Sequence, residues 1–242
     1  MEEMIRLVEE GDFDAMINEA NTLLFGGMMV PVDPDLLDLA VSCLRKAIEA
    51  GHTGAMITYG ALFYNGRGVR QDFDEAIRWY KEAADRGNAQ AVSYMGYMYY
   101  YGRGSLETDM EKAYQYFSKA ALLGVPNAYY KCGDMFRYGQ YVDQDPAAAF
   151  QLYMTCFRMV SADQPIDCYP DVCSRIGACF HKEIGTEKDL FRAKSFLTEA
   201  VRLFRVRVKQ GDLFTDEVLK KAVDEWIAVS CELLDQVGCR RA

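Results

Sequence analysis

Residues 55–87 read AMITYGALFYNGRGVRQDFDEAIRWYKEAADRG, and residues 91–124 read AVSYMGYMYYYGRGSLETDMEKAYQYFSKAALLG. At a shift of 36 or 37 residues, Ala55, Gly60, Phe63, Gly66, Gly68, Asp72, Ala76, Trp79-Tyr80, Ala83-Ala84 and Gly87 return as Ala91, Gly96, Tyr99, Gly102, Gly104, Asp109, Ala113, Tyr116-Phe117, Ala120-Ala121 and Gly124. A third copy keeps Ala128, Gly133, Phe136, Gly139, Asp145, Ala149 and Leu152-Tyr153. A fourth, after an insertion of about seven residues, keeps Gly177, Phe180, Asp189, Ala193, Phe196-Leu197 and Ala200. Half a copy (Ala40, Cys43-Leu44, Ala47, Gly51) precedes the first. A fixed period of this length is the signature of a solenoid.

Each copy reads as two helices. Ala55, Tyr59, Gly60 and Phe63 recur at i, i+4, i+5 and i+8, one apolar face of an α-helix. A mid-helix glycine costs about 1 kcal/mol relative to alanine, yet one stands in all four copies. Close approach of a neighbouring helix explains it, and Ala76, Ala113, Ala149 and Ala193 mark the same contact from the second helix. Gly66-Arg67-Gly68 and Gly102-Arg103-Gly104 predict a left-handed cap and a tight turn between the helices. Asp72 with Glu75, and Thr108 with Glu111, have capping-box spacing. Asp33-Pro34 and Asp145-Pro146 place proline at the first helical position. Tyr141 replaces the second turn glycine of the third copy, and Glu183 the first of the fourth, so those two turns are expected to be rebuilt.

The chain has 242 residues and a formal charge of −9. Ten of its 36 acids but one of its 27 basic residues lie in residues 1–40, so the repeats themselves are close to neutral. An acidic chain disfavours nucleic acid and anionic membranes as partners. No run of apolar residues is long enough to span a bilayer. The start, Met1-Glu2-Glu3-Met4, is acidic where a secretion signal is basic. With eight cysteines and no such signal, reduced thiols and a cytoplasmic location are expected.

The pattern from Ala55 to Gly87 resembles the Sel-1-like repeat, a relative of the tetratricopeptide repeat. The match is closest over 55–124, weaker over 125–160 and 171–204, and confined to the second helix over 36–51; residues 1–30 and 211–242 do not match. The resemblance implies an all-α, right-handed α/α superhelical solenoid of four to five helix pairs and an adaptor role. The expected organisation is an acidic helical cap over 1–33, repeats over 34–160, a Pro/Asp-rich insertion over 161–170, a divergent fourth repeat over 171–210 and a capping helix over 211–242. The resemblance also implies that the first helix of each unit lines the concave side. The face opposite its packing stripe carries Ile57, Ala61, Tyr64 and Asn65; Ser93, Tyr97, Tyr100 and Tyr101; Tyr130, Asp134, Arg137 and Tyr138; and Ser174, His181 and Lys182. Twelve of the sixteen tyrosines lie between residues 94 and 153. Tyrosine and arginine bury large area and keep a polar tip, which suits a protein-binding hot spot. The alternative is that tyrosines pack helix on helix, the reading preferred for Tyr59, Tyr94, Tyr99 and Tyr116.

Catalytic motifs are sparse. His52 follows the Gly51 cap and reads as a residue of a solvated turn; His181 ends a first helix, facing either the groove or solvent. The Gly-Arg-Gly turns could cradle a phosphate, but their recurrence favours a structural role. Cys168, Cys173, Cys179 and His181 lack the paired spacing of a zinc site, so neither metal nor cofactor is expected. Cys132 and Cys156 share the third unit while the first two units hold no cysteine, which departs from the disulfide-rich members of the family and their suggested β-lactam binding. The basic run Arg192 to Lys209 reads as a solvated helix face; its alternatives are a nucleic-acid footprint and a contact with the acidic N-terminal segment of another copy. The reading is a non-enzymatic scaffold that captures a protein or peptide in a tyrosine-lined groove. A hydrolase on a repeat scaffold and a purely structural oligomer are the competing classes.

Overall fold

The computed structural model describes residues 2–25, 32–160, 168–210, 212 and 215–239. The 161–170 insertion falls mostly outside these residues. Twelve helices and no strand are present among the described residues. They are α1 (Glu2–Glu10), α2 (Phe13–Phe25), α3 (Pro34–Glu49), α4 (Thr53–Asn65), α5 (Phe73–Asp85), α6 (Ala89–Tyr101), α7 (Met110–Leu122), α8 (Pro126–Tyr138), α9 (Pro146–Met159), α10 (Tyr169–Lys182), α11 (Leu190–Lys209) and α12 (Thr215–Cys239). The helices fall into two compact units, residues 1–125 with α1 to α7 and residues 126–242 with α8 to α12.

In α4, α6, α8 and α10 the helical glycine lies against a large side chain of the following helix. A Cβ on Gly60 would lie 2.8 Å from Tyr80 Cε1, and one on Gly96 2.7 Å from the Phe117 ring. On Gly133 it would lie 2.6 Å from Tyr153 Cε1, and on Gly177 2.7 Å from Leu197 Cγ. The second helix meets this contact with one large residue and one small one: Ala76, Ala113, Ala149 and Ala193 have no exposed surface.

The helix ends are tied by one recurring backbone bond. The N–H groups of Asp72, Asp109, Asp145 and Asp189 donate to the carbonyls of Phe63, Tyr99, Phe136 and Phe180 at 2.9–3.0 Å. The same aspartates cap the second helices through Oδ1. This corrects the capping box expected at Thr108, since the cap of α7 is Asp109, accepting from Lys112 N–H at 2.9 Å. Glu75 does not close a box on Asp72 either. The Asp72 N–H is already bonded to Phe63, and Glu75 instead accepts from Arg78 and from Trp79 Nε1.

Gly66 and Gly102 take the left-handed cap, with φ of 64° and 59°. The divergent turns are not rebuilt. Tyr141 and Glu183 adopt the same left-handed backbone, with φ of 67° and 56°, at a conformational cost that glycine would not bear.

In the first unit, Met16, Ala20 and Leu24 of α2 share a buried cluster with Leu44 and Ala47 of α3 and Leu62 of α4, and Met4 and Leu7 of α1 join it. The half copy seen in the sequence is thus completed by α2, inside the segment read as a cap. In the second unit, Tyr153, Cys156, Ile176, Leu197 and Phe204 form the core, and Ala222, Val229 and Leu233 of α12 pack on it.

The helix-contact reading predicts non-additivity. Gly96→Ala should cost about 1–3 kcal/mol by overpacking and Phe117→Ala about 3–5 kcal/mol by leaving a cavity. The double variant should lose less than the sum, because the new methyl fills space the ring vacates; urea denaturation of the three variants measures this. Glu183→Gly should raise stability by about 0.5–1 kcal/mol by relieving the left-handed strain, read as a higher urea midpoint with unchanged slope.

Candidate partner-binding surface

On the first unit, the residues singled out by sequence gather at the C-terminal end of α6. Tyr97 and Tyr101 stack with centroids 6.2 Å apart, and Tyr100 meets Tyr101 edge-on at 4.9 Å. Tyr97 also meets the Phe117 ring edge-on at 5.0 Å. Tyr101 is 47% exposed. Tyr64 is half-buried against Phe73, and exposed Asn65 donates to its own helix at Ala61 O. Ser93 is fully buried and leaves the expected face. The tyrosines read as packing residues do pack: Tyr59 lies edge-on to Phe63 and Trp79, Tyr94 contacts Tyr80, and Tyr99 stacks on Tyr116.

On the second unit, the picked residues divide. Tyr138 is 61% exposed, with the Arg137 guanidinium 5.2 Å from its ring centre. Asp134 is 5% exposed and does not present itself to a ligand. Arg175 grips it bidentately, Nε to Oδ1 at 2.6 Å and Nη2 to Oδ2 at 2.7 Å, and the Tyr153 hydroxyl donates to Oδ1 at 2.8 Å. Arg175 also lies over the ring of buried Tyr130 at 4.6 Å. Asp171 extends the network to Arg207, 3.1 Å away. Burial works to raise the Asp134 pKa, but the charge and hydrogen bonds of Arg175 outweigh it and hold the carboxyl below its ordinary value.

His181 is also internal, 8% exposed between two carboxylates of α12. Nδ1 is 2.6 Å from Glu225 Oε1 and Nε2 is 2.6 Å from Glu232 Oε1. Lys182 and Lys188 neutralise the outer oxygens of the same two glutamates. This corrects the groove or surface placement of His181: it fastens the last helix to α10. His52 follows the turn at Gly51 and is half-buried, its ring 4.7 Å from that of Phe13. The basic run on α11 is partly spent inside the unit, Arg202 on Glu199 and Arg207 on Asp171. Glu225, Glu232 and Arg175 had escaped sequence reading. Only the Asp171–Arg175 spacing of four carried a local signal.

An open furrow of about 660 Å³ lies between Phe157, Tyr169, Cys173, Phe196 and Glu199. Burial pushes the Cys173 thiol up to about 12, the opposite of an activated nucleophile. The described residues hold no group of three or more His, Cys, Asp or Glu side chains able to share a metal ion. No described helix is long and apolar enough to cross a membrane.

Paired helices repeated with one internal contact make this an α/α repeat solenoid. The Sel1 repeat profile matches residues 14–52, 54–88, 89–125, 126–153 and 170–203, and the chain belongs to the Sel1 repeat family. The first of these matches spans α2 and α3, making the half copy a full repeat. The chain is 35% identical over 88 residues to the ERAD-associated E3 ubiquitin-protein ligase component HRD3B of Arabidopsis thaliana, covering 36% of this chain and 14% of that protein. It is 31% identical over 123 residues to an exopolysaccharide production negative regulator of Rhizobium leguminosarum bv. viciae, covering 46% of each. The chain therefore spans less than half the length of these relatives. In fold it resembles the crystal structure of a Sel1 repeat protein from Oxalobacter formigenes, with a TM-score of 0.60 and 23% identity over 89% of this chain and 84% of that one.

Asp134→Asn should cost about 3–5 kcal/mol at pH 7, because it strands the buried Arg175 charge. The carboxyl is lowered in the folded state, so its contribution is complete above its ordinary value of 3.8 and is lost as pH falls through the lower folded value. Urea titrations of wild type and variant should therefore converge on acidification.

Proposed function

We propose that this chain is a non-enzymatic, cytoplasmic protein-interaction adaptor that holds protein or peptide segments on the exposed ends of its first helices, each unit presenting its own. The observation that carries this is the last residue before each left-handed cap. Asn65, Tyr101, Tyr138 and Lys182 occupy that position in successive repeats, and all four are exposed. Two are tyrosines, the residue type that contributes most per contact at low conformational cost. The neighbouring rings of Tyr97 and Tyr100 widen the patch on the first unit. Family membership supports the adaptor role, as do relatives named as a ubiquitin-ligase component and as a regulator of polysaccharide production. The raised pKa of Cys173 in the furrow beside Phe157 and Tyr169 supports the non-enzymatic part.

Tyr101→Ala and Tyr138→Ala should each weaken partner binding by about 1–2 kcal/mol while leaving the helical circular dichroism and urea midpoint unchanged. The partner is captured by a photo-reactive amino acid placed at position 101 and its affinity measured by calorimetry. A partner that binds both variants as tightly as wild type would place the surface elsewhere.

A further inference from the structure

The two Gly-Arg-Gly turns have the same sequence but not the same use. Both arginines donate their backbone N–H to the preceding first helix, Arg67 to Leu62 O and Arg103 to Met98 O. The Arg67 side chain is then anchored, with Nε donating to Leu24 O of α2 at 2.7 Å. Arg103 Nε is buried and has no acceptor. At the corresponding end of α4, the Tyr64 carbonyl is already engaged by Gln71 Nε2 at 2.9 Å. Asp74, the acid beside this turn, has Oδ1 committed to the Ser105 N–H at 2.7 Å, and Arg103 forms no ion pair with any described residue.

The guanidinium is framed by ring faces, 5.2 Å from the Phe73 centre and 5.6 Å from that of Tyr101. Rings on this scale hold the guanidinium plane and keep water from it. A buried donor without an acceptor is costly, and a carboxylate supplies acceptor atoms and the compensating charge in one group. A phosphate polymer or an anionic bilayer would require several cations in concert, and here the neighbouring turn arginine is already spent on Leu24. We propose that Arg103, with Tyr101 and Phe73, is a receptor for a single side-chain carboxylate, an Asp or Glu of the protein partner. This rests on the reading that the partner docks at the end of α6, and names the chemistry it brings.

The test is an NMR titration of the full chain that follows the arginine Nε–H signals, with Arg103 assigned by its loss in Arg103→Lys. The probes are N-acetylglutamate N-methylamide, its glutamine counterpart and inorganic phosphate. The Arg103 signal should move with the glutamate probe at about tenfold lower concentration than with phosphate, and should not move with the glutamine probe. The Arg67 signal, anchored on Leu24, should stay still. An Arg103 signal unmoved by the glutamate probe, or moved as readily by phosphate, overturns the proposal. No partner is needed for this readout. Failure here with Tyr101→Ala still impairing partner binding rejects only the carboxylate receptor; success here with Tyr101→Ala binding normally rejects only the docking surface.

Discussion

A glycine in each of α4, α6, α8 and α10 lets one large side chain of the following helix lie against the backbone, and these four repeats are organised around that contact. Tyr80, Phe117, Tyr153 and Leu197 differ in shape and chemistry, yet each reaches to where a Cβ would stand. The loss of helix propensity is local and small; the gain is a deeply buried large residue in each pair, and burial of apolar surface is the dominant favourable term in folding. Because the glycine recurs in these four repeats while the large residue varies, the pairing contact persists as the chemistry of each repeat changes.

Much of the fold was legible because its determinants are local and periodic. Glycine and alanine at fixed spacing, turn glycines and capping aspartates all act within one helical hairpin, and one sequence window contains them. The first repeat was harder, because α2 has Ala20 where a glycine would have announced the contact, and its link to α3 includes a stretch unlike the other turns. The cap of α7 was misread for a non-local reason. Thr108 has the right spacing to Glu111, but the bond from Asp109 N–H to Tyr99 O sets where the helix starts. Tyr141 and Glu183 show that the hairpin bonds are strong enough to hold an ordinary residue in a glycine conformation.

The surface was less legible, since helical spacing says which residues share a face and not what packs on it. Asp134 and His181 belong by periodicity with Tyr97 and Tyr100, but partners 41 to 51 residues away turn them inward. Glu225 and Glu232 of α12 likewise pair with His181, Lys182 and Lys188, contacts that the spacing within one helix does not reveal. The last residues of α4, α6, α8 and α10, where the chain is about to turn, stay exposed.

The bond from the capping aspartate to the first-helix carbonyl has one more consequence. In three repeats it closes a segment of one length, but between Tyr99 and Asp109 the segment is one residue longer. The extra residue is taken up by an internal turn, Leu106 N–H to Arg103 O, and the bond, the cap and the Gly96–Phe117 contact are all retained. Loop length is therefore decoupled from helix register in this hairpin: the turn absorbs an added residue while both helices keep their pairing.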